Sequence, residues 1–263
     1  MILNSFPLVE LSNINKTYDA NNSTNHVIKD ISLNIQRGEF VSILGQSGCG
    51  KSTLLNLIGG FIKPSEGNLK FDGRPIVNPN RRAIMLFQNY GLLPWRTVLK
   101  NVELGLESES LSADFRKKRA LEYLNLVGLN DHINYFPSEL SGGMQQRVAI
   151  ARALAIQPEL ILMDEPFAAL DTFNRYYLQD ELLRLQQKEK NTIVLVTHDI
   201  DEAIYLSDKI IIMNAHPGTI KRELSIELTK PRDRTHEEFQ NYRRLILECF
   251  NFGIEKPKVK VHS

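Results

Sequence analysis

The chain has 263 residues, 42% hydrophobic and 24% charged, which fits a globular fold with a sizeable core. Lys and Arg total 32 against 31 Asp and Glu, a formal net charge of +1, so a broadly basic surface for nucleic acid is excluded. No apolar run approaches the ~20 residues that cross a bilayer, and two cysteines, Cys49 and Cys249, exclude a disulfide framework.

Residues 1–7 lack the basic start and apolar core of a secretion signal, so a reducing compartment is expected. Residues 8–11 and 27–35 read as strands of an antiparallel β layer. The polar stretch 19–25 between them reads as a loop. Residues 39–44 are a short apolar run suited to a buried strand. It leads into Gly45-Gln46-Ser47-Gly48-Cys49-Gly50-Lys51-Ser52-Thr53, which fits the phosphate-loop pattern G-x-x-x-x-G-K-[ST]. Glycines let the backbone curl so that successive N–H groups face one concavity. Lys51 adds a charge that reaches the β- and γ-phosphates, and the Ser52 hydroxyl is a Mg²⁺ ligand type. A helix over about 51–60 aims its positive end at the same anion. Cys49 reads as a small loop side chain.

Residues 68–71 read as a strand before an Asp72-Gly73 turn, and 83–87 as a buried strand ending at Gln88. From 89 to about 157 the pattern is mostly helical, which predicts an inserted lobe. Phe115, Leu121, Leu124 and Val127 are expected to share one helix face. Met144, Val148, Ala151 and Ala155 are expected to share another, on a helix over 142–155. Near-continuous apolar runs at 160–163, 192–196 and 209–213 suit parallel strands covered on both faces. A helix over 174–188 separates the first two. A β ribbon is expected over 219–228, a helix over 237–250 and a solvated tail around 256–260.

Two further segments carry chemistry. Leu160-Ile161-Leu162-Met163-Asp164-Glu165 is a strand that delivers two carboxylates to the C-terminal edge of the sheet, beside the phosphate loop. Asp164 is placed to hold Mg²⁺ and Glu165 to polarise a water attacking a γ-phosphate. In Leu140-Ser141-Gly142-Gly143-Met144-Gln145-Gln146-Arg147, Ser141 is a good N-cap and two glycines leave N–H groups uncovered at a helix start. Two glycines in a first turn cost helix stability, so an ordinary capped helix explains them poorly and a second anion site explains them better.

At these residues the chain resembles the nucleotide-binding subunit of an ATP-binding-cassette transporter. Leu140-Ser141-Gly142-Gly143-Met144-Gln145 is similar to that superfamily's signature, and the resemblance runs over about 9–227. It implies an α/β phosphate-loop NTPase fold with a mostly parallel sheet, an antiparallel β layer and an inserted helical lobe. The implied ATPase domain is 8–228, with core segments 8–88 and 158–228, a lobe at 89–157, and a C-terminal helix and tail at 229–263. It also implies ATP with Mg²⁺ and two subunits paired head to tail. Each ATP would lie between residues 45–53 of one copy and Ser141, Gly142 and Gly143 of the other, with Gln145 in the same binding set. Tyr18 matches the aromatic residue that stacks on adenine. Gln88 matches the glutamine at the junction of the lobes that senses Mg²⁺ and the attacking water. Ala169-Leu170-Asp171 matches the loop that crosses the dimer interface, although Ala168 stands where many relatives carry a polar residue. Thr197-His198-Asp199 matches the switch histidine, so Glu165, His198, Gln88 and Lys51 form the implied catalytic set.

Residues 93–98, 164–171 and 216–218 look most like the nitrate, sulfonate and taurine importer group. That resemblance implies integral membrane permease subunits, an extracytoplasmic solute-binding protein, and a peripheral place on the cytoplasmic face of the membrane. Leu92 and Trp95 are the implied anchors for a permease helix. A soluble cassette ATPase acting on ribosomes or DNA would usually carry two cassettes or a coiled-coil insertion. A small-molecule phosphotransferase would leave residues 141–145 unexplained.

Overall fold

The structure is a computed structural model and describes residues 6–20, 23–86, 90–108 and 110–250. The first half contains β1 (Val9–Ala20), β2 (Ser23–Ile35), β3 (Phe40–Gly45), α1 (Lys51–Ile58), β4 (Glu66–Phe71), β5 (Arg74–Pro75) and β6 (Ala83–Leu86). Three helices follow: α2 (Val98–Leu104), α3 (Ala113–Leu126) and α4 (Gly142–Ala155). The chain then runs through β7 (Leu160–Asp164), α5 (Thr172–Glu189), β8 (Thr192–Thr197), α6 (Ile200–Leu206), β9 (Lys209–Asn214), β10 (Thr219–Ser225) and α7 (Glu237–Cys249).

These strands build two sheets. One is antiparallel with order β2-β1-β4-β5. The other has order β10-β9-β3-β8-β7-β6 and is parallel except for β10, which returns antiparallel on β9. The apolar runs of the parallel strands are continuous because both faces are covered. Ile161, Met163, Ile193, Leu195, Ile210 and Ile212 enter one core with the helical lobe and α5. Their alternates Leu160, Leu162, Val194, Val196, Ile211 and Met213 enter a second core with α1 and the antiparallel layer. Period-two side chains on a doubly covered sheet produce this division.

The parallel order sends the C-terminal ends of β3, β7 and β8 to one edge, where the phosphate loop, Asp164-Glu165 and Thr197-His198 all begin. The helical lobe is inserted between β6 and β7. At the far end, Phe239 and Ile246 of α7 are fully buried against the first core, with Tyr242 and Cys249 partly buried beside them.

Three expectations are corrected. The stretch 19–25 is not a loop throughout: pairing continues to Asp19↔Thr24 and Ala20↔Ser23, because extending the hairpin satisfies the backbone of both strands. Phe115 leaves the packed face of α3 and is 44% exposed, with the Arg119 guanidinium 4.8 Å from its ring centroid. It stands nine positions before buried Leu124, about half a turn round the helix at ~100° per residue. A short helix, α6, also forms where no helix was expected, capped by Asp199; the equally short α2, capped by Thr97, falls inside the stretch expected to be mostly helical.

Candidate nucleotide site

The phosphate loop leaves β3 at Gly45 and enters α1 through two left-handed glycines, Gly48 at φ 79° and Gly50 at φ 92°. A side chain at Gly50 would strike Ile28 and the Val27 carbonyl, with gaps of 2.8 and 3.1 Å. A side chain at Gly45 would lie 2.6 Å from the Cys49 sulfur. Gln46, Ser47 and Gly48 are exposed, as is Ser52, and Thr53 is half-buried. Gly50 is the N-cap of α1 and offers no side-chain cap, so the first N–H groups of the helix keep their donor capacity. Lys51 is buried and folds back over the loop, donating to the Gly45 carbonyl at 2.8 Å and the Gln46 carbonyl at 3.0 Å. The Cys49 thiol is fully buried, and that burial pushes its pKa up against the opposing pull of Lys51. It packs rather than reacts, as expected from the sequence.

The two acids arrive beside this loop. Burial pushes the Asp164 carboxyl up, the Ser52 hydroxyl hydrogen bond draws it down, and the neighbouring Glu165 charge pushes it up again. A buried carboxylate paired with a hydroxyl is the oxygen donor set that a hard cation such as Mg²⁺ prefers. Glu165 adopts a left-handed backbone at φ 49°, and its N–H donates to the Val196 carbonyl at 3.0 Å. This conformation turns its carboxylate toward β8, where His198 Nδ1 lies 3.1 Å from Glu165 Oε1. His198 is largely exposed at the strand end. Lys51, Ser52, Asp164, Glu165 and His198 therefore share one sheet edge. Gln88 lies outside the described residues.

The other expected residues sit elsewhere. Tyr18 is on β1, 44% exposed, with the Lys16 ammonium 4.8 Å from its ring centroid. Ser141, Gly142 and Gly143 open α4 on the helical lobe. The Ser141 hydroxyl caps the helix by accepting from the Met144 N–H at 3.3 Å. A Cβ on Gly142 would meet the Tyr90 hydroxyl at 3.6 Å, and one on Gly143 would meet Leu170 at 3.1 Å. Gln145 turns into its own lobe and donates to the Pro137 and Leu140 carbonyls at 3.0 and 3.3 Å. Asp171 caps α5, accepting from the Phe173 and Asn174 N–H groups at 3.1 Å.

Three residues beside the site were not singled out in the sequence. Arg175 donates to the Leu170 carbonyl at 3.2 Å and lies 3.5 Å from Asp199, which joins the loop before α5 to the loop of His198. Glu202, buried on α6, accepts from the Thr197 hydroxyl at 2.7 Å, and burial pushes its pKa up to about 7. Gln146 is buried between α4 and the turn after β7. Its helical position, three and four residues before the buried Ala149 and Ile150, is the only sequence sign of an inward side chain.

The model of the ABC transporter family matches residues 28–168. An uncharacterized ABC transporter ATP-binding protein of Methanocaldococcus jannaschii is 47% identical over 248 residues, which is 94% of this chain and 93% of that protein. The chain belongs to the ABC transporter ATP-binding family. It is an ATP-binding ATPase cassette. The aliphatic sulfonates import ATP-binding protein SsuB of Bacillus cereus is 42% identical over 245 residues, covering 93% of this chain and 96% of that protein. Among solved structures, a dimeric post-hydrolysis state of the cassette MJ0796 with ADP and Pi superposes with a TM-score of 0.77. It is 40% identical and covers 84% of this chain and all (100%) of that chain. No helix among the described residues is long and apolar enough to cross a membrane.

Proposed function

We propose that this cassette hydrolyses ATP between two head-to-tail copies and thereby energises solute import through a separate membrane permease. One observation carries the reading: Ser52 with Asp164, and Glu165 with His198, meet on the sheet edge that also bears the phosphate loop. The uncapped N–H groups of α1 and the Lys51 ammonium hold the phosphates, the lysine exchanging loop carbonyls for phosphate oxygens. Glu165 orients and deprotonates the attacking water, and His198 stabilises charge at the γ-phosphoryl oxygens. Mg²⁺, held by Ser52, Asp164 and Gln88, would neutralise the charge of the phosphates.

Tyr18 is the platform for the adenine. Ser141, Gly142 and Gly143 of the second copy complete the γ-phosphate site. Loss of that shared contact on hydrolysis opens the pair, and conformational change is the output. Gln145, occupied inside its lobe, acts as a brace for that helix start. Trp95, 72% exposed, and half-buried Leu92 offer the permease an apolar contact. The likeness to sulfonate and nitrate importers favours a small solute such as nitrate, a sulfonate or taurine, delivered by an extracytoplasmic binding protein. The cassette then works as a peripheral protein on the cytoplasmic face.

A pull-down of the chain from detergent-solubilised membranes, read by mass spectrometry, tests the reading. A polytopic membrane protein together with a solute-binding protein is the expected result. Ribosomal or DNA-repair partners without a membrane protein would overturn the transport role.

A further inference from the structure

The turn that carries Glu165 is held from outside by one buried side chain. Gln146, 6% exposed in the second turn of α4, directs its Nε2 at the carbonyls that follow β7. It donates to the Pro166 carbonyl, and the Glu165 carbonyl lies 3.5 Å away. Its Oε1 is buried and has no partner among the described residues, so the amide's orientation is defined by its donor side. Glu165 needs such support. Its φ of 49° is a conformation that a non-glycine residue rarely adopts, and surrounding contacts must hold it there. The Val196 carbonyl holds the N–H of Glu165, and Gln146 holds the carbonyl side of the same residue and of the next.

We infer that Gln146 is a positioning residue for Glu165: its amide holds the turn that aims the Glu165 carboxylate at the attacking water. The inference rests on the proposed role of Glu165. It also places a physical link between α4 and the carboxylate. The same helix packs its first turn on the following loop, where a Cβ at Gly143 would come within 3.1 Å of Leu170. The helix start that faces the other copy is thus braced on the turn that carries this copy's Glu165.

The test is a double-mutant cycle on the full chain, with Gln146→Met and Glu165→Gln, read as ATPase kinetics. Methionine keeps the length and most of the volume but removes the donor. Gln146→Met should lower kcat about tenfold with little change in KM for ATP, the loss expected of one buried hydrogen bond acting at the transition state. In the Glu165→Gln background the same substitution should have no further effect, because the carboxylate it aims is gone. A merely structural glutamine would lower both backgrounds equally, and that result overturns the inference. An unchanged kcat in Gln146→Met, with Glu165→Gln impaired, overturns it while leaving the role of Glu165 intact. Full activity of Glu165→Gln overturns both. If Gln146→Met does not fold, Gln146→Leu carries the same cycle, and loss of the fold in both identifies a structural residue and overturns the inference.

Discussion

The start of α1 and the start of α4 are both glycine-rich helix N-termini, and they treat their free N–H groups differently. At α1 the cap is Gly50, which has no side chain to offer, and the nearest charge is the buried Lys51. At α4 the cap is Ser141, whose hydroxyl takes the Met144 N–H, and the first turn holds neutral residues. The first is a cradle inside the sheet edge, surrounded by ionisable groups. The second is an exposed, self-capped surface that presents only part of its donor set. In the proposed reading a nucleotide docks on the first alone, and the second adds to a phosphate already bound. The asymmetry suits a site divided between two copies.

The largest break in this comparison comes from Lys51→Ala. It removes the only buried ammonium at the cradle among the described residues and leaves the loop glycines in place. Each charge-assisted hydrogen bond is worth roughly 1.5–3 kcal/mol, so two or more such bonds predict a loss of at least ~100-fold in turnover. ATP affinity should fall with it, and fluorescent-nucleotide titration measures both. Wild-type turnover in this variant would remove the phosphate loop from the chemistry.

Gly142→Ala probes the second helix start with a smaller effect. Among the described residues a methyl group there meets only the Tyr90 hydroxyl, at an ordinary 3.6 Å, so the fold accommodates it. Replacing a helical glycine adds up to about 1 kcal/mol of stability. Turnover should nonetheless fall about tenfold, because in the proposed head-to-tail pair the new methyl group stands where the second copy's γ-phosphate approaches. Nucleotide affinity of the single chain should stay unchanged. A melting temperature at or above wild type with reduced turnover supports the divided site. Unchanged turnover would show that the α4 start is only a helix start.

Much of this contrast was readable in the chain, for different reasons in the two regions. The phosphate loop declares itself because only glycine fits at Gly50 and only a cation serves at Lys51. The strand 160–163 declares itself because its two-sided burial forces an unbroken apolar run. The residues that hold the site together were not legible. Gln146, Arg175 and Glu202 are polar residues on helices, where residue type alone assigns them to solvent. Their burial depends on contacts with carbonyls and hydroxyls 5–20 positions away. Seven-residue α6 is too short to show a period, and its N-cap Asp199 was absorbed into the motif of His198. Phe115 misled because an aromatic residue on a helix suggests a core contact, whereas its ring packs under Arg119 on the outside.

The smallest effect is electrostatic, and it separates the two regions most finely. Glu202 lies behind the His198 loop, facing Thr197, Asp199, Arg175 and His198. Burial raises its carboxyl from 4.5 to about 7, so the folded chain keeps a proton that the unfolded chain gives up over that range. Stability from this group is thus fully present below the unfolded value and declines as pH rises toward the folded one. A shift of this size sets an upper limit of about 3 kcal/mol. Glu202→Gln retains an acceptor for the Thr197 hydroxyl and cannot ionise. Urea unfolding of both proteins from pH 5 to 8 should show the variant gaining on the wild type as pH rises, with the gap levelling off above the folded value. Gly142→Ala, which touches no carboxylate or imidazole among the described residues, should differ from wild type by the same amount at every pH in this range. A gap between Glu202→Gln and wild type that does not move with pH would mean that Glu202 is charged throughout, paired with Arg175. The position behind the His198 loop would then be as insensitive to pH as the start of α4.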